Sequence, residues 1–86
     1  MRDLERRLKA LANRKRLEIL KFLKKEHSAY VSEIARAIQL SVPAASDHLQ
    51  ILYAANIVTT RKRGLYVTYR ISLDQQSPVR DLLKLL

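Results

Sequence analysis

Cysteine is absent from this 86-residue chain, which removes disulfides, thiolate metal ligands, thiol redox chemistry and cysteine nucleophiles together. Glycine occurs once, at Gly64, so there is no glycine-rich loop to cradle a phosphate. Proline occurs only at positions 43 and 78, and no Pro/Gly/Ser-rich linker, low-complexity tract or internal repeat divides the chain. No apolar run approaches the roughly 20 residues that span a bilayer, and Met1-Arg2-Asp3 leads into an amphipathic segment instead of a signal-peptide core. The expectation is one domain over residues 1–86, in the cytoplasm.

Acidic residues are scarce as well: 8 Asp and Glu stand against 17 Lys and Arg, for a net charge of +9. Such an excess favours an anionic partner, either nucleic acid or an acidic membrane. The few carboxylates are scattered singly, with no paired acids and no nucleophile set beside a base, so no enzyme activity and no cofactor are expected. His27 and His48 fall in different helices without a neighbouring thiol, and a zinc site would need further ligands. No metal is expected.

What the chain does have is periodicity. Leu4, Leu8 and Leu11 recur at i, i+4 and i+7 on an otherwise charged first helix, a narrow apolar stripe that must bury somewhere. Three leucines are too few to hold a helix on a membrane surface firmly, so burial against protein is the better account. Asn13 is a candidate N-cap for a second helix carrying Leu17, Leu20, Phe22 and Leu23, with Lys24 and Lys25 suiting its C-terminal dipole. Ala29-Tyr30-Val31 is extended in character. Ser32 is expected to cap a two-turn third helix that buries Ile34, Ala35 and Ile38 and breaks around Gln39-Leu40. Ser41 caps a fourth, with Pro43 tolerated in its first turn and Ala45, Leu49 and Leu52 on its buried side.

Ile57–Lys62 and Leu65–Ile71 alternate as two antiparallel strands, with Leu65, Val67, Tyr69 and Ile71 on one side and a turn at Arg63-Gly64. The alternation puts Tyr66 and Tyr69 on opposite faces, which argues against a stacking platform for single strands. Ser77-Pro78 opens a last helix with Val79, Leu82, Leu83 and Leu86 at i, i+3, i+4 and i+7. Two short helices about three residues apart, the second opened by a capping serine, followed by a hairpin, make a winged helix-turn-helix. The expected fold is mainly α, about five helices with a two- or three-stranded wing.

Charge is concentrated locally. Residues 1–25 carry +7, residues 26–60 carry −2, residues 61–70 carry +4 and residues 71–86 are neutral. Cationic support for DNA binding must therefore come from Arg61, Lys62 and Arg63 on the wing, from Arg36, and from the Arg14-Lys15-Arg16 cluster at the start of the second helix, above all Arg14 and Lys15. On the fourth helix Pro43, Ser46, Asp47 and Gln50 lie opposite the core residues, with Ser41 and Ala44 at its opening. Ser46 and Gln50 can hydrogen-bond base edges, and Asp47 can accept from a cytosine amino group. His48 borders this face and could reach a phosphate. An aspartate facing phosphates costs affinity, so backbone contacts should dominate over base discrimination.

With Ala12-Asn13-Arg14-Lys15-Arg16-Leu17-Glu18-Ile19-Leu20, Leu40-Ser41 followed by Ser46-Asp47-His48-Leu49, and Gly64-Leu65-Tyr66-Val67-Thr68-Tyr69-Arg70-Ile71, the chain resembles ArsR/SmtB-type winged-helix regulators from Leu4 to Leu86. The resemblance implies a homodimeric repressor that binds double-stranded DNA, paired through its first and last helices. The stripes Leu4-Leu8-Leu11 and Val79-Leu82-Leu83-Leu86 stand where that interface would lie. Metal-sensing members carry a Cys-Val-Cys segment where this chain has Tyr30-Val31-Ser32, and its last helix has no histidine, so metal sensing by those routes is excluded. The expected function is a nucleoid-associated transcriptional regulator. The alternatives are a winged-helix protein-interaction module meeting its partner on Val42–Gln50, and a nonspecific chromosome-binding protein.

Overall fold

Local capping sets the helical frame. In the computed structural model, which describes residues 1–86, the elements in chain order are α1 (Arg2–Leu11), α2 (Arg14–Glu26), β1 (Ala29–Tyr30), α3 (Val31–Ile38), α4 (Val42–Ala54), β2 (Val58–Arg63), β3 (Tyr66–Ile71) and α5 (Val79–Leu83). Asn13 Oδ1 accepts from the Arg16 amide at 3.0 Å and opens α2, and Ser41 Oγ accepts from the Ala44 amide at 3.2 Å and opens α4. Each cap satisfies one of the first-turn donors that a helix leaves without a partner.

The third helix corrects one expectation. Ser32 lies inside α3, and Tyr30 is the N-cap, its amide donating to Glu33 Oε1 at 2.8 Å. The strand β1 holds Tyr30 extended and the Glu33 carboxylate reaches back to it, so the helix starts without help from the serine hydroxyl. Gln39, at φ 59°, ends α3 in the left-handed region. The three residues 39–41 then separate it from α4.

The core lies between α2, α3 and α4 and the base of the sheet, where Ile19, Leu20, Leu23, Ile34, Leu49, Leu52, Ile57, Val58 and Val79 are fully buried. The sheet runs β1-β3-β2, all antiparallel, with Ala29 opposite Tyr69, Val58 opposite Ile71 and Arg63 opposite Tyr66. Tyr69 and Ile71 pack against the core as the alternation predicts. Leu65 and Val67 do not: Leu65 sits in the turn, 95 % exposed, and Thr68 is buried in their stead, its hydroxyl donating to the Arg61 carbonyl at 3.3 Å. Past the Arg61–Thr68 pair the hairpin leaves the core, and Leu65, Tyr66 and Val67 line only an open cleft with Tyr30, Val31 and Ser32, so alternation no longer separates buried from exposed.

The last helix is shorter than its leucine spacing predicts. It spans five residues; Pro78 is the N-cap, and the Ser77 hydroxyl donates to Asp81 Oδ2 at 2.6 Å instead of capping a backbone amide. That bond holds the Asp81 carboxyl below its ordinary range, against opposing desolvation and with lesser help from Lys84 and Arg80. Lys24 reaches across from α2, its Nζ donating to the carbonyls of Leu86 at 2.9 Å and Leu83 at 3.2 Å. A cation there both satisfies orphan acceptors and suits the negative end of the helix dipole.

Candidate nucleic-acid interface

The reading surface begins at the helix-turn-helix. Because Ser41 caps α4 and Ala45, Leu49 and Leu52 are wholly buried, helical spacing forces Pro43, Asp47 and Gln50 outward, and all three are exposed. Ala44 and Ser46 are half-buried at the flank of the same arc, and Ser41 itself is exposed. The outward face continues into Tyr53, 50 % exposed, and Ile51, 45 % exposed. Neither was anticipated, although Tyr53 follows Gln50 by three and Ser46 by seven, a spacing that places it on that side.

His48 is half-buried, and its Nδ1 lies 3.2 Å from a guanidinium nitrogen of Arg16. The same arginine donates from Nε to the Ala10 carbonyl at 2.6 Å and from a second nitrogen to the Lys9 carbonyl at 3.4 Å. Arg16 thus joins the end of α1 to the middle of α4, a positioning role that the sequence, read as a basic cluster, conceals. Lys15 is likewise engaged. Its Nζ donates to the Ile38 carbonyl at 3.0 Å and lies 3.4 Å from Glu18, which ties it to the C-terminus of α3 instead of leaving it free for a phosphate.

The remaining cations are free. Arg14, Arg36, Arg61, Lys62 and Arg63 are all exposed, and the ion pairs of the chain are Lys9–Glu5, Lys15–Glu18 and Lys84–Asp81, so none of the five has a carboxylate within 4 Å. The wing cations stand on β2 and its turn, where Gly64, the residue that closes the hairpin, adopts φ 61°. That conformation is strained for any residue with a Cβ. Unneutralised positive charges in the same domain as an exposed polar helix face can engage the phosphates of a duplex while the helix approaches base edges.

The two leucine stripes meet, but with a changed membership. Leu8, Leu11, Ala12, Leu17, Leu82, Leu83, Leu85 and Leu86 enclose a wholly apolar cleft of about 380 Å³. Leu11, Val79 and Leu83 are buried within the protomer, where they fasten α1 and α5 to the core. Leu4 and Leu86 are partly covered, whereas Leu8, Leu17, Leu82 and Leu85 remain between 37 % and 80 % exposed. Leu17 and Leu85 had no place in the predicted seam, because it was drawn from each helix separately. No helix is long and apolar enough to cross a membrane, and no three His, Asp or Glu side chains gather where a metal could be held.

Helix-turn-helix, three-stranded sheet and basic hairpin together define a winged helix-turn-helix domain. The chain belongs to the arsR family of bacterial regulatory proteins, whose pattern matches residues 13–60. It is 45 % identical over 67 residues to the nodulation protein NolR of Rhizobium meliloti, covering 78 % of this chain and 54 % of NolR. It is 37 % identical over 76 residues to the transcriptional activator HlyU of Vibrio cholerae, covering 88 % of this chain and 69 % of HlyU. Among solved structures, it superposes with a TM-score of 0.82 and 35 % identity on the homodimeric winged helix-turn-helix DNA-binding domain of Mb0332 from Mycobacterium bovis, described as a possible ArsR-family transcriptional regulator, over 96 % of this chain and 73 % of that one. The chain therefore spans about half the length of NolR and somewhat more than two thirds of the other two.

Proposed function

We propose that this chain is a single-domain transcriptional regulator that binds double-stranded DNA as a homodimer and represses by occupying its operator. α4 enters the major groove with Pro43, Ser46, Asp47 and Gln50 toward base edges, and Arg61, Lys62 and Arg63 hold the adjacent backbone or minor groove. Arg14 and Arg36 add phosphate contacts, and two copies read half-sites about one helical turn apart. Its place of work is the nucleoid, it carries out no catalysis, and it uses no metal. The observation that carries this reading is the exposed polar face of α4 within a helix-turn-helix, together with five exposed cations that no carboxylate neutralises. The open leucine cleft between α1 and α5 supports pairing, since exposed leucines clustered in this way mark an association surface.

The deciding experiment is a salt titration of binding to duplex DNA. Each phosphate neutralised contributes about −0.9 to the slope of log affinity against log salt, so a slope several units negative is expected and a slope near zero refutes DNA binding. Selection of bound duplexes from a random pool should enrich a palindrome.

A second reading, a protein-interaction module, draws on the exposed Val42, Ile51 and Tyr53 of α4. Partners that persist in a pull-down after nuclease digestion favour it, and loss of every partner removes it.

A further inference from the structure

A second cavity, of about 390 Å³, opens between the start of α1, the turn that joins α4 to β2, and the segment after β3, with Asp3, Arg6, Arg7, Asn56, Asp74 and Gln76 among its walls. Two carboxylates and two guanidiniums line one space, yet no acid and base among them approach within 4 Å. Arg7 is only partly engaged: one terminal nitrogen donates to Gln75 Oε1 at 3.0 Å, and its Nε is closed off from water with no acceptor. A guanidinium offers five donors in a planar fork. A carboxylate is the acceptor that fits the terminal nitrogens of such a fork.

We propose that this cavity binds a small zwitterion of the amino-acid class, its carboxylate on Arg6 and Arg7 and its ammonium on Asp3 and Asp74. The volume is near the lower end for small-molecule sites, which suits a ligand of that size. The wall charge is balanced, with both signs held apart, so it complements a molecule that carries both and is poorly matched to a polyanion, for which a cationic excess would be needed. At 3.6 residues per turn, Asp3 and Arg6 lie roughly 100° or more around α1 from Leu8 of the leucine cleft.

The occupied site is connected to the reading surface through Gln75. This residue is 8 % exposed, and its Nε2 donates to the carbonyls of Asn56 at 2.9 Å, Ile57 at 3.2 Å and Ser72 at 3.4 Å. The amide that touches Arg7 therefore joins the end of α4 to the starting end of β2 and the segment after β3. A ligand that draws Arg7 toward its carboxylate loosens Gln75 and changes DNA affinity. This last step rests on the DNA-binding reading above; the site itself does not.

Calorimetric titration of the whole chain with each standard L-amino acid, without DNA, tests the site directly. At least one should bind at millimolar concentration or tighter, with one site per chain. Acetate and ethylamine, which carry one charge each, should bind at least about tenfold more weakly, since each forgoes one set of charge-assisted bonds. Arg6→Gln and Asp74→Asn should each weaken the best ligand by about tenfold while leaving the circular dichroism spectrum and Tm unchanged. Absence of binding by every amino acid overturns the proposal, and so does binding that survives both substitutions. Inorganic phosphate binding as tightly as the best amino acid makes this a plain anion site and overturns it too. Repeating the titration on the DNA complex separates the two claims: amino-acid binding without any change in DNA affinity leaves the site standing and removes only its link to the wing.

Discussion

The helical body and the tip of the hairpin keep their shape by different means. In the body, Ile19, Leu20, Ile34, Leu49 and Leu52 have no exposed surface, and each helix is fixed by what it buries. At the tip, Arg61, Lys62, Arg63, Leu65 and Tyr66 are exposed, and strand pairing, a glycine turn and the edge-on contact of the Tyr66 ring with Tyr30 define the geometry. Substitutions in the body should therefore act on stability, and substitutions at the tip on binding.

The largest effect expected from breaking this division is Leu49→Ala. It removes a wholly buried side chain from the inner face of α4 and should cost about 3 kcal/mol in chemical denaturation, a large share of the stability of a domain this small. A loss under about 1 kcal/mol would mean the helix is not anchored as described. Next is the pair Arg61→Ala with Arg63→Ala. Denaturation should move by no more than about 0.5 kcal/mol, while the salt slope of DNA binding becomes less negative by about 2 and affinity falls alike on all sequences. A drop confined to one sequence would make these arginines base readers.

Gly64→Ala tests whether the tip has conformational requirements of its own. No atom lies within 4 Å of the added Cβ, so the expected loss of about 1 kcal/mol comes only from forcing alanine to φ 61°. An unchanged denaturation midpoint would show that the turn relaxes freely. The smallest effect is that of Asp47→Asn, which leaves the core untouched. It should tighten nonspecific binding about twofold to fivefold by removing one like charge from the phosphate-facing side, a change on the scale of a single exposed charge interaction. Strong weakening on every sequence would place Asp47 elsewhere than on the reading face.

Legibility in the sequence follows the same division. The caps at Asn13 and Ser41, the buried side of α4, Leu20 and Leu23 of α2, and the break at Gln39 could all be read locally, because caps and helical periodicity are properties of neighbouring residues. On α2 the exposed Leu17 was taken with them and the wholly buried Ile19 was missed. The start of α3 was misplaced at Ser32 because the capping acceptor came from Glu33, a side chain within the helix. The strand faces failed at Leu65 and Val67, which reach past the core to an open cleft beside Tyr30 and Val31 where neither face is buried. Within the candidate site, the exposed positions of α4 and the free wing cations were legible, whereas the attachments of Lys15, Arg16 and Gln75 were not. Each of those side chains is satisfied by a backbone carbonyl or ring nitrogen distant in sequence, and such acceptors leave no trace in the order of residues.

The attachment of Arg16 to the last carbonyls of α1 and to His48 of α4 has a geometric outcome for an assembled pair. In a pair joined through α1, a strut of that kind would gear the packing of the two α1 helices to the tilt of each α4. The distance between the two α4 helices, and with it the tolerance for an inserted or deleted base pair between half-sites, would then depend on a side chain already engaged within its own protomer.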